Sequence, residues 1–202
     1  MTEQQHYDVL ARFPDFELRR YPAHLIAEVE VGGSFTDAGN RAFGLLVGFI
    51  SGRNTARAKV AMTAPVVQEP APRRIAMTAP VPQSDATGRH AVAFVMPAGY
   101  TIDTLPEPTD RRITVREVPT QLAAARTFTG RWTEESFRGH LTTLRNATQA
   151  AGFEVAATPR FARFDPPWTP WFLRRNEVVL PVVGDPASAD PRTRPVAGKP
   201  AA

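Results

Sequence analysis

The chain of 202 residues has no cysteine. That excludes a disulfide framework, a thiolate metal site, a cysteine nucleophile and covalent cofactor attachment through Cys-x-x-Cys-His. Its first residues, MTEQQHYDVLARF, are polar and acidic where a secretory signal needs a basic segment and an apolar run. No stretch approaches the roughly 18 apolar residues of a membrane span. A cytoplasmic protein with no membrane partner is the expectation. Methionine is scarce, at four residues. The net charge of +4 comes from arginine pairs such as Arg19-Arg20, Arg73-Arg74, Arg111-Arg112 and Arg174-Arg175, each mixed with acidic or apolar residues. They form no basic helix or recognition-helix pattern, so a nucleic-acid partner is not expected.

What is present is a run of punctuated strands and two amphipathic stretches. Residues 16 to 31 read as a strand bent at Pro22, and Gly32-Gly33 ends it. Ser34 or Thr36 would cap a helix running to about Ile50, with Phe43, Leu46, Val47 and Ile50 at helical spacing and Ser51-Gly52 as its stop. Strands are predicted over 57–67 and 74–81, joined by the loop QEPAP, and over 90–97. Residues 113 to 128 read as a second strand with a proline inside. Thr133 would cap a second helix running to about Ala151, with Gly152 after it. FARFDPPWTPWFLRRNEVVLPV, 161 to 182, reads as two strands around an aromatic, proline-stiffened loop. The Pro/Ala-rich residues 184–202 have no core-forming pattern and read as a disordered tail.

Two repetitions stand out. The phrase AMTAPV occurs at 61–66 and again at 76–81, with Met62 and Met77. A shift of 97 residues lays Arg19 on Arg116, Pro22 on Pro119, Leu25 on Leu122, Ala27 on Ala124, Gly33 on Gly130, Thr36 on Thr133 and Arg41 on Arg138. The fold this implies is α+β: a distorted antiparallel β-barrel built from two pseudo-twofold β-α-β-β repeats, with a helix on each half. A single domain is expected over 7–183, in halves of about 7–97 and 100–183. A cleft where the halves meet is the natural place for a small molecule.

The segments KVAMTAPV and RIAMTAPV, DAGNRAFGLL, AFVMP, FTGRW and FARFDPPWTPWFLRRNEVVLPV, in this order, resemble the SOUL haem-binding family, its bacterial branch in particular. The resemblance implies binding of haem or a related tetrapyrrole by a non-catalytic carrier or buffer. The same architecture serves GyrI-like effector-binding modules, some of them hydrolytic, which is the alternative reading. One branch of the family takes an iron ligand from a histidine in the first strand. In FELRRY here, Arg20 stands at that position and cannot donate a lone pair; it would pair with a propionate instead. For iron, His24 is the first candidate and His140 the second, ahead of His6, His90, Met62 and Met77. Phe43, Leu46 and Val47, with Phe172 of the WTPWFL loop, would form an apolar wall. Glu28, Glu30, Asp165 and Glu177 are the acids available to a hydrolase, with Glu177 more simply a partner for Arg174 or Arg175. No Ser-His-Asp order, nucleophile elbow or HExxH motif accompanies them.

Overall fold

The computed structural model describes residues 3–70, 88–165 and 168–185. In chain order its strands are β1 (Glu3–Gln4), β2 (Asp8–Arg12), β3 (Glu17–Tyr21), β4 (His24–Gly32), β5 (Thr63–Ala64), β6 (Val66–Pro70), β7 (Arg89–Val95), β8 (Ile113–Val118), β9 (Gln121–Thr129), β10 (Glu154–Val155), β11 (Arg160–Arg163) and β12 (Arg175–Val183). Helix α1 (Phe35–Ile50) lies between β4 and β5, and α2 (Glu134–Ala150) between β9 and β10.

Pro22 and Pro119 wire the sheet. Proline cannot donate to a ladder, so each of the two long stretches expected as a strand breaks there into two. β3 pairs with β9 and β4 with β8, antiparallel in both cases. The register runs through both breaks: Tyr21 faces Gln121 and, beyond the prolines, His24 faces Val118. The shift that lays Glu17 on Thr114 lays Glu28 on Ala125, and the ladder pairs Glu17 with Ala125 and Glu28 with Thr114. The ladder therefore maps onto itself. The full order is β2-β3-β9-β12-β11-β6-β7-β4-β8, with β10 beside β12. The result is a mostly antiparallel curled sheet with two helices, an α+β fold as expected.

Each helix follows a strand ended by glycine in the left-handed region, Gly33 at φ 118° and Gly130 at φ 133°, where side chains are strained. Ser34 caps α1 by accepting the Asp37 N–H, and Thr133 caps α2 by accepting that of Ser136. On α1 the buried stripe is Ala38, Ala42, Leu46, Phe49 and Ile50, and most of it meets Leu25, Ala27, Val29, Val92 and Phe94 of the sheet. On α2, Phe137 and Leu144 meet Leu18, Ala124, Phe128, Val178 and Leu180. Between the two helix starts, Phe35 lies against Phe137 and Phe161 with ring centroids 5.6 Å away in both cases. The space between the two helix starts is filled by side chains.

One expected strand is displaced. Residues 57 to 62 are not in a strand, and the ladder begins at Thr63 and continues through Gln68 and Glu69, which were expected in a loop. The cause is Asn54, fully buried beyond α1, whose side chain donates to Phe49 O and Ala58 O and accepts from the Ala58 N–H. This fastens the chain into a tight turn before it can enter the sheet. The short strands β1, β2 and β10 were not expected. The second AMTAPV, with Met77 and its expected strand, lies outside the described residues, as does most of the tail.

Candidate functional site

Strand alternation divides the sheet into a face under the helices and an inner face. Glu17, Arg19 and Tyr21 of β3 point inward, opposite to Leu18. After the Pro22-Ala23 break the inner positions of β4 are His24, Ile26, Glu28 and Glu30, opposite to Leu25, Ala27 and Val29. Tyr21 of β3, Val67 of β6, Arg160 of β11 and Glu177 of β12 line one small cavity, although β3 and β6 stand far apart in strand order. The sheet therefore curls around this face.

The inner face carries a buried charge pair that sequence reasoning found only by half. Arg19 reaches across β9, where Ala123 and Ala125 leave room, and its Nη1 donates to Glu177 at 2.8 Å and its Nη2 at 3.2 Å. Arg175 Nη2 and Thr127 Oγ1 also donate to Glu177, at 2.6 and 2.9 Å. Burial alone would raise the Glu177 carboxyl, but the hydrogen bonds and charges of Arg19 and Arg175 outweigh it and hold it below its ordinary range. Arg175 was an expected partner; Arg19, at the other end of the chain, was not. The other acids considered for a hydrolase are also engaged. Glu28 takes Arg116 Nε and Nη2 at 2.8 and 2.9 Å, Glu30 takes Arg89 at 2.8 Å, and Asp165 accepts the Arg175 backbone N–H at 2.6 Å.

Where the strands cross at Pro22, a cavity of about 300 Å³ opens. That is the lower end of the size range of small-molecule sites. Its wall includes His24, Leu25, Val95, Met96, Tyr100 and Ile102, with Gln5 of the N-terminal segment. His24 Nδ1 lies 2.8 Å from Pro22 O, so this nitrogen carries the proton, and Nε2 meets the Gln5 side-chain amide at 3.0 Å. Burial, with the charges of Arg160 and Arg116, lowers the His24 pKa against the raising effect of the Pro22 carbonyl, which keeps the ring neutral. Thr63 is also in the wall, and its buried hydroxyl has no hydrogen-bond partner among the described residues.

Of the residues weighed from sequence, His24 and the lower-ranked His6 line this cavity. Arg20 is exposed, on the opposite side of β3 from Arg19. His140 stacks on Phe128 with centroids 3.8 Å apart, and its Nδ1 accepts from Arg126 at 3.3 Å. Burial and that neighbouring cation lower its pKa. Leu46 has no exposed surface and Val47 is half-buried, both in the core under α1. Phe43 is 39% exposed beside Phe94, and Phe172, 58% exposed in a short 3-10 turn, packs against Trp171. The proposed wall is thus a core element and a separate aromatic turn. Met62 is half-buried against the core; the methionine in the cavity wall is Met96, whose only sequence signal was its place in AFVMP. Among the described residues, no group of three or more His, Cys, Asp or Glu is placed to hold a bare metal ion.

The SOUL heme-binding protein family model matches residues 2–181, nearly the whole described chain. The chain belongs to the SOUL heme-binding protein family. No curated protein matches this SOUL chain in sequence. Among solved structures it is similar to the C-terminal domain of EcmrR, with a TM-score of 0.61 at 11% identity, covering 88% of this chain and 98% of that one. EcmrR in its complex with DNA gives 0.59 at 12%, covering 82% of this chain and 56% of that longer one. A hydrolase from Listeria innocua gives 0.56 at 11%, covering 86% and 94%. At these identities the likeness is one of fold. No helix among the described residues of this SOUL protein is long and apolar enough to cross a membrane.

Proposed function

We propose that this protein binds haem or a related tetrapyrrole without a covalent bond, in the cavity beside Pro22, and acts as a cytoplasmic carrier or buffer rather than an enzyme. The observation that carries this reading is His24: a neutral imidazole with its proton fixed on Nδ1, in the wall of a mostly apolar cavity that also holds Met96 and Tyr100. These are side-chain types that ligate haem iron, and an imidazole held by a backbone carbonyl through one nitrogen presents the other as a ligand. The residue types fit the group, and the cavity, about 300 Å³, would widen to take it. Gln5 now hydrogen-bonds to that nitrogen and would move aside. Bound there, haem supplies a coloured iron centre; His24 orients it, and Leu25, Val95 and Ile102 exclude water.

Titration of the purified protein with hemin tests this. A saturable Soret band with micromolar affinity is expected, and His24→Ala should shift the band and not only weaken it. A saturable spectrum unchanged by His24→Ala removes His24 as ligand; no saturable spectrum removes the haem reading. In that event a GyrI-like effector module moves ahead, on the strength of the fold shared with the EcmrR domain. Its ligand would not be a simple cation, because Arg19 and Arg175 already neutralise Glu177.

A further inference from the structure

Among the described residues, the inner face holds one guanidinium whose Nε and Nη2 edge meets no hydrogen-bond acceptor. Arg160 opens β11, and its Nε and Nη2 are buried without a hydrogen-bond partner. These two nitrogens matter as a pair, because Nε–H and one Nη2–H point the same way and form a fork that fits two oxygens of one carboxylate. The protein uses that same edge elsewhere. Arg116 holds Glu28 through Nε and Nη2, and Arg112 holds Asp110 through Nε and Nη2 at 2.9 and 2.6 Å. Among the described residues, no acid meets this edge of Arg160. Glu177 lines the same small cavity but is taken by Arg19, Arg175 and Thr127. Glu69 lies near enough to feel the charge, but its carboxylate approaches Arg116, at 3.7 Å. A buried cation with donors unmet is costly, and a site that tolerates it has a use for it.

We propose that Arg160 is the anchor for the carboxylate of an otherwise apolar organic acid. The space beside it is small, about 20 Å³, so at most the oxygens of a head group reach the guanidinium and the body stays outside. Tyr21 stands under the guanidinium, 5.5 Å from ring centroid to Cζ, and Val67, Ala162, Phe164 and Val179 add apolar wall. Gln5 belongs to this wall and to that of the 300 Å³ cavity, so the two spaces adjoin. The body of the ligand lies in the larger one, beside His24. This placement rests on the reading of that cavity as the ligand site, and it moves the acid-binding role from the exposed Arg20 to the buried Arg160.

The test compares acid with ester. Hemin and hemin dimethyl ester are titrated into the full chain, as wild type and as Arg160→Gln and Arg160→Lys. Wild type should bind the diacid tighter by roughly ten- to a hundredfold, the range of a charge-assisted hydrogen-bond pair. Arg160→Gln should abolish the difference and leave ester binding in place, and Arg160→Lys, with charge but no fork, should restore only part of it. Equal binding of acid and ester by wild type overturns the proposal, and that comparison needs no variant to fold. So does a loss in Arg160→Gln that is equal for acid and ester. If neither porphyrin binds, the haem reading fails by itself, and calorimetry with decanoate against decanol then decides the carboxylate site: preference for decanoate, lost in Arg160→Gln, supports it, and no preference overturns it.

Discussion

Removing the charge of Glu177 while keeping its shape should cost more than any single surface change in this protein. In Glu177→Gln, the side chain that accepts four hydrogen bonds, two from Arg19 at 2.8 and 3.2 Å and one each from Arg175 and Thr127, becomes an amide. One of its ends is a donor facing a donor. Arg19, 1% exposed, is left without its buried counter-charge. Its remaining partners are the Tyr21 hydroxyl, which accepts from Nη1 at 3.2 Å, and Glu17, which is partly exposed and shared with Arg12. Breaking a buried pair from one side costs about 3–5 kcal/mol, which for a domain of this size lowers the melting temperature by roughly 6–20 °C. Urea denaturation with calorimetry reads both. The double variant Arg19→Met with Glu177→Leu should recover most of the loss, since it removes both desolvated charges. Acid gives a second readout. The carboxyl is held below its ordinary value of 4.5, so its stabilisation is fully present above that pH and lost as pH falls through the lower folded value. Glu177→Gln lacks that part of the acid limb. A variant within about 0.5 kcal/mol of wild type, or a double variant as unstable as the two single losses added, would refute the reasoning.

The placement of α1 gives a paired prediction. Leu46→Ala should cost about 2–5 kcal/mol in denaturant as a core cavity, while Phe43→Ala, at 39% exposure, should cost clearly less; equal costs would contradict the burial described. Hemin binding should also follow the His24 proton. Because burial lowers the His24 pKa below 6.5, affinity should be flat above that pH and fall as the medium is acidified through the lowered value. An affinity that falls as pH rises from 6 to 8 would be evidence against nitrogen ligation.

Local chemistry was legible where it is local. The caps Ser34 and Thr133, the glycines at 33 and 130 and the stop at Ser51-Gly52 follow from short-range hydrogen bonding and backbone sterics, and both helices stand where those signals put them. The strand character of the β4 and β9 segments was legible for the same reason. Three features had no such signal. The shift of the strand after α1 depends on Asn54, one polar side chain among many in the sequence, which folds a turn around itself. The apolar stripe of α1 looks the same whether it faces a sheet or a ligand, so Leu46 read as a wall when it is core. The cavity depends on Met96 and Tyr100 arriving beside His24 from a distant loop and strand. Arg160 gave no sign of its state either, because an unmet donor is a property of neighbours and not of sequence.

The Arg19–Glu177 pair spans 158 residues, and that separation bears on how the chain is made. Arg19 belongs to the third strand and leaves the ribosome early, yet the carboxylate that lets it be buried belongs to the twelfth strand and emerges much later. The ladders that flank the pair, β3 on β9 and β9 on β12, are just as non-local, and contacts of this kind are slow to form because loop closure precedes any gain. A nascent chain that stops anywhere before residue 177 holds a cation it has nowhere to bury, and β9 with one face of its ladder open. The fold thus carries a completeness check: its inner face closes only on a chain whose two ends have both been synthesised.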